Sequence, residues 1–210
     1  MPETDAPKRS RGRPRRSETQ RQDMRDQIER AAARLFQSEG YSAISMRRIA
    51  KAVGCSPMAI YAYFDNKVDL LRSLWEQVFI DLFQQVGRDT SDATTPRAQL
   101  RTLSAGYVQY WIDHPERYRM VFMAEGISQS DVSLFIGDPR TSKHFEHIFD
   151  LVSKTIGVET TDQTAKQKVD FLLATLHGIA HTQVTMSGYD WADHKDLVDF
   201  AIDAIASSAT

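Results

Sequence analysis

Residues 45–70, SMRRIAKAVGCSPMAIYAYFDNKVDL, decide how the rest of the chain is read. Met46, Ile49, Ala50 and Val53 recur at helical spacing behind Ser45, a good N-cap. Gly54 interrupts the pattern with a residue that takes a left-handed turn at no steric cost. Ser56 and Pro57 then restart a helix, as a cap followed by a proline at the first helical position. The new helix is expected to turn Ile60 and Phe64 inward and to leave Met58, Ala59, Ala62 and Tyr63 outward. A short helix, a Gly-containing turn and a second helix with an exposed face form a helix-turn-helix, the arrangement that enters a major groove.

Working outward, the chain has 210 residues, 41% hydrophobic and 26% charged, the profile of an ordinary globular protein with a well-buried core. No apolar run approaches the ~20 residues that span a bilayer. Lys8 to Arg16 is basic but no apolar segment follows, so no signal peptide is read and a cytoplasmic location is expected. The single cysteine, Cys55, has no internal disulfide partner and reads as a small half-buried residue of the turn. The net charge of −2 hides a split: residues 1–72 carry 15 Lys+Arg against 9 Asp+Glu, and the remainder is acidic. A basic first third on an acidic body suits a protein whose one end meets a polyanion.

Residues 1–17 lack apolar periodicity and are rich in Pro, Arg and Ser, the composition of a disordered basic arm. Within it, Arg11-Gly12-Arg13-Pro14-Arg15 resembles the core of an AT-hook, in which Arg11 and Arg13 enter a narrow A·T-rich minor groove. The plainer alternative is a basic tail that attracts phosphates only. Helices are predicted at about 19–38, 66–86, 96–113, 117–124, 142–156, 163–186 and 193–206, with a loop from Gly87 to Pro96 and no assignment for 126–140. No strand-like alternation is present, so the fold class is all-α. The division expected is an arm (1–17), a DNA-binding domain (18–66) and a helical ligand-binding and dimerisation domain (67–210). Val169, Leu172, Leu173, Leu176, Ile179 and Ala180 on the penultimate helix, and Leu197, Val198, Ala201, Ile202 and Ile205 on the last, give apolar faces that suit a four-helix interface with a second copy. A dimer would also place two reading heads ~34–36 Å apart, one turn of DNA.

Leu35-Phe36, Gly40-Tyr41, Ser45 to Ala50, Val53 to Ser56, Ile60 to Phe64, Asn66-Lys67 and Leu70-Leu71 together resemble the DNA-binding domain of TetR/AcrR-type transcriptional regulators. Trp111 to Pro115 with Tyr118, and Leu176-His177-Gly178, resemble a C-terminal subtype marked by a Trp and a His-Gly pair. The resemblance implies that Arg47 reaches DNA from the first helix, that Pro57, Met58, Ala59 and Tyr61 line the major groove beside the capping Ser56, and that Tyr63 and Lys67 touch phosphates. The chemistry agrees in part, since Arg47 can be bidentate to guanine and a phenol or ammonium can bond a phosphate. Met58, Ala59 and Ala62 have no strong donors, which shifts polar readout toward Arg47, Arg48 and the arm.

The resemblance further implies a homodimer released from operator DNA when a small apolar or aromatic effector moves the long connector helix. Effector candidates are Tyr107, Tyr110, Trp111, Phe122, Met123, His177 and His181, although aromatic residues at helical spacing are more often core. His177/His181 and His144/His147 have helical spacings that can hold a metal, but no further ligand accompanies them, so no metal and no cofactor are expected. No catalytic constellation stands out, so the chain is not read as an enzyme. A DNA-bound adaptor or architectural protein without a ligand is the alternative.

Overall fold

The computed structural model describes residues 17–40, 44–89, 93–123 and 139–207, with side chains left out at 88–89 and 139–144. Among them the chain is all-α: α1 (Glu18–Glu39), α2 (Met46–Val53), α3 (Pro57–Tyr61), α4 (Lys67–Asp89), α5 (Pro96–Asp113), α6 (Pro115–Phe122), α7 (Pro139–Ile156), α8 (Gln163–Thr185) and α9 (His194–Ser207).

Local sequence accounts for the helix ends. Ser17 and Gln20 form a reciprocal capping box at the start of α1, so Ser17 belongs to the helix and not to the arm expected over 1–17. Ser45, Ser56 and Thr95 cap α2, α3 and α5 through their hydroxyls. Gly54 closes α2 at φ 76° and ψ 33°, the left-handed conformation expected of it. Asn66 accepts the Asp69 amide at 2.9 Å and opens α4.

Two boundaries differ from the sequence reading. Helix α4 continues through Gly87 to Asp89, where a loop was expected. One glycine costs only ~1 kcal/mol in a helix interior, and the buried stripe of Trp75, Val78, Phe79, Leu82 and Val86 outweighs it. Helix α7 begins at Pro139 rather than near Ser142, with proline tolerated in the first turn.

Helices α1, α2 and α3 enclose Ile28, Ala32, Phe36, Met46, Ile49, Ala50, Ile60 and Phe64. The core is continuous along α4: Leu74 lies beside Ala33 and Phe36 of α1, while Trp75 bonds the Met120 carbonyl of α6 and Phe79 meets Trp111 of α5. In the second half of the molecule α5 is the central helix, lying against α4, α7, α8 and α9. Of the apolar residues expected to form the dimer face, Val169, Leu172, Leu176, Ile179, Ala180, Val198, Ala201, Ile202 and Ile205 are buried within this protomer. Their faces are wide because they close around α5. What α8 and α9 leave outside is Phe171, 49% exposed, and Phe200, 73% exposed.

Candidate nucleic-acid interface and effector region

The helix-turn-helix presents its candidates in three different ways. Helix α3 is five residues long, capped by Ser56 and led by Pro57. It anchors through Ile60, which is fully buried, and carries Met58 (77% exposed) and Tyr61 (48% exposed) outward. Ala59 and Tyr63 are half-buried, not fully outward as expected, because the chain leaves helical geometry after Tyr61 and folds Phe64 under the unit. The amides of Tyr63 and Phe64 both bond the Ile60 carbonyl, at 2.9 and 3.1 Å.

Arg47 and Lys51 are exposed on α2, one turn apart. Arg48 is engaged: its two terminal nitrogens bond both carboxylate oxygens of Glu39, at 3.0 and 2.5 Å, a fork-on-fork pair between α2 and the end of α1. That pair holds the Glu39 carboxyl below its usual range. Lys67 is partly buried at the start of α4, and burial pulls its ammonium down from the ordinary lysine value. Arg11 and Arg13 lie outside the described residues. Lys51 is not among the residues expected to touch DNA, and its place one turn after Arg47 is the sequence signal that sets it on the same exposed face.

The effector candidates fall into a packed core and its edge. Trp111 is fully buried and meets Phe79, Tyr107, Tyr110, Tyr118 and Phe122 edge-on at centroid distances of 5.1–6.1 Å. Burial pushes the Tyr107 phenol up to about 12. Tyr110 donates from its hydroxyl to the Val78 carbonyl (3.0 Å) and accepts from Arg117 (2.6 Å), which also pairs with Asp81 at 2.9 Å. Tyr110 and Trp111 therefore bind α4, α5 and α6 together, with Tyr107 packed against Trp111 on α5. Phe122 and His177 are half-buried, and Met123 and His181 are exposed.

One polar knot sits at that edge. The buried Tyr118 hydroxyl lies 3.1 Å from His177 Nε2 and 3.0 Å from His181 Nδ1. A phenol donates one hydrogen bond, so it gives to one imidazole and accepts from the other. Desolvation, assisted by His181, lowers the His177 pKa, and burial raises that of Tyr118. Both shifts favour the uncharged forms of His177 and Tyr118. No group of three or more metal-ligating His, Cys, Asp or Glu residues occurs among the described residues, and His144 has no described side chain. Two clefts, one of about 130 Å³ between α1, α4 and α6 and one of about 490 Å³ between α5 and α9, are not lined by any effector candidate. No described helix is long and apolar enough to cross a membrane.

Residues 28–74, from the first core residue of α1 to the first turns of α4, match a sequence model described as bacterial regulatory proteins, tetR family. Over 139 residues the chain is 26% identical to the HTH-type transcriptional activator FasR of Mycolicibacterium smegmatis, covering 66% of this chain and 63% of that protein. Over 92 residues it is 30% identical to the HTH-type transcriptional repressor NicS of Pseudomonas putida, covering 44% and 43%. The chain thus spans less than two thirds of either relative. In fold it is similar to the transcriptional regulator FadR of Bacillus subtilis, solved with stearoyl-CoA, at a TM-score of 0.66 and 18% identity over 87% of this chain and 97% of that one.

Proposed function

We propose, from the premise that this chain is a member of the TetR family of bacterial regulatory proteins, that it is a homodimeric transcriptional repressor released from operator DNA by a small apolar or aromatic effector. The observation that carries the DNA-binding part is the reading head itself: α3 anchored by Ile60 with Met58 and Tyr61 outward, beside the exposed Arg47 and Lys51 of α2. With Met58 and Ala59 apolar, base reading would rest on thymine methyls, on Arg47, and on Arg11 and Arg13 of the arm. Pro57 and Tyr61 would line the groove, and Ser56, Tyr63, Lys67 and, once freed from Glu39, Arg48 would hold the phosphates.

The sign of regulation is the finer part, since one matched relative is named an activator and the other a repressor. Repression needs only occupancy of the operator and its loss on effector binding, with no further contact to the transcription machinery. The effector would enter at the edge formed by Phe122, Met123, His177 and His181, where the aromatic cluster gives way to polar side chains. Released DNA then follows if the effector prefers a state with a different spacing of the reading heads, a preference that must reach several kcal/mol. Dimerisation would use the outer faces of α8 and α9, with Phe171 and Phe200 as the apolar anchors.

The test is selection of bound duplexes from a random DNA pool, followed by anisotropy titration of the selected site with and without candidate effectors. A palindromic site bound with nanomolar affinity supports the reading, and failure to enrich any sequence removes it. The packing of Tyr107, Tyr110 and Trp111 against one another favours, as a second reading, a DNA-bound adaptor without an effector. A thermal-shift screen of small apolar compounds separates the two, because binding raises the melting temperature in proportion to RT ln(1 + [L]/Kd).

A further inference from the structure

Arg25 lies on the second turn of α1, 38 residues before the contact that gives it meaning. Its Nε donates to Glu29 on the same helix at 3.2 Å. Its guanidinium carbon stands 4.5 Å from the centroid of the Phe64 ring. One terminal nitrogen points at the Tyr63 carbonyl, 3.5 Å away, the outer limit of a hydrogen bond. Three partners on two elements thus hold one planar cation against the segment where α3 ends.

Helix α3 is one and a half turns long, has no basic residue in its last turn, and closes with the Tyr63 and Phe64 amides on the Ile60 carbonyl. Just past the helix, the Tyr63 carbonyl meets this guanidinium, and the ring of Phe64, 1% exposed, lies beneath it. A guanidinium supplies both at once, a donor in its plane and a cation on the ring face. Lysine would supply the charge without the plane.

We infer that Arg25 is a positioning residue of the DNA-reading surface: by capping the exit of α3 it sets the direction in which Tyr61, Tyr63 and Lys67 leave the helix-turn-helix. The inference rests on the proposed DNA-binding function, and its test has one arm that does not. The first arm is hydrogen exchange of the full-length protein without DNA. In the Arg25→Gln variant the Tyr63 and Phe64 amides exchange on the order of tenfold faster, as expected for the loss of one cation–π contact and one cap, while the α2 amides keep their rates. Unchanged rates at Tyr63 and Phe64 overturn the inference whether or not the chain binds DNA.

The second arm is affinity for the selected operator. Arg25→Gln weakens binding, and adding Tyr63→Phe to it costs less than Tyr63→Phe costs alone in the wild type, because the phenol is already misplaced. Strict additivity, or full operator affinity in a variant with fast exchange, overturns the positioning role. Arg25→Lys restores only part of either readout, whereas full restoration would reduce the role to charge. If Arg25→Gln fails to fold, Arg25→Lys and the cycle between Arg25→Lys and Tyr63→Phe carry the same comparisons. Failure of the wild type to bind any duplex removes the functional reading, and the exchange arm still decides whether Arg25 caps α3.

Discussion

Arg47 and Arg48 are neighbours in sequence and opposites in use. Arg47 is exposed on α2, and replacing it by Ala is expected to cost about 1–3 kcal/mol on the operator and to relax preference at one position per half-site, read from competition titrations. Arg48 is held by Glu39. Glu39→Gln removes that competitor, so the variant should bind DNA more tightly and show a steeper dependence of affinity on salt, since one more cation reaches the phosphates; a shallower dependence would mean that the pair instead holds α2 in place. Neither Arg48's partner nor Arg25's contacts with Tyr63 and Phe64 were legible in the chain, because these contacts join residues that only the fold brings together. His177 provides a pH test. Its folded pKa lies below the ordinary histidine value, so above about pH 6.5 it is neutral folded or unfolded and costs nothing. As pH falls below that value the unfolded chain takes up the proton first, and stability is lost until the folded pKa is reached. His177→Gln should flatten that part of the pH profile of the melting temperature. An unaltered profile would assign the acid loss to other groups.

Elements were more legible than side-chain partners, and for a physical reason. Caps and turn residues act within three or four positions, so Ser45, Gly54, Ser56, Pro57 and Asn66 could be read directly, and the structure places each as expected. Gly54 is the sharpest case. No atom lies within 4 Å of a Cβ built there, yet φ is +76°. Gly54→Ala is therefore expected to destabilise by about 1–2 kcal/mol through backbone strain alone, measurable by urea denaturation. A loss well above that range would point to a clash that the open surroundings exclude. The faces of α8 and α9 were misread because periodicity reports that a stripe is apolar, not whether its partner is α5 of the same chain or a second copy. Only burial settles that, and it leaves Phe171 and Phe200 outside.

For the whole molecule, the charge split separates a basic reading end from an acidic body, and two predictions belong to that scale. Phe200→Glu should shift the protein toward monomer in sedimentation velocity while leaving its helical content intact, since this side chain is 73% exposed and makes little of the protomer core. A variant that stays dimeric would move the interface elsewhere. Deleting residues 1–16, which keeps the Ser17 cap, should lower both affinity and salt slope, and most on A·T-flanked sites. Equal losses on all flanks would make the arm a simple polycation. The effector region was the least legible part. Of the seven candidates, Tyr107, Tyr110 and Trp111 are buried, and Tyr110 and Trp111 join α5 to α4 and α6. The same residue types serve a core and a pocket, so composition alone does not separate them.

Helix α4 has a consequence for anyone who would recombine this protein with others. Leu70, Leu71 and Leu74 are buried beneath the reading head, and Val78, Phe79, Leu82 and Val86 are buried in the body, with Gly106 leaving just enough room for Val86 at 3.3 Å from where a Cβ would stand. No junction at a loop divides these two sets. A chimera that grafts residues 17–66 onto another sensor would leave these three leucines behind and set a foreign helix beneath the reading head. One that fuses inside α4, between Leu74 and Val78 and in helical register, would keep each leucine with its own neighbours. The seam for transplantation lies within a helix.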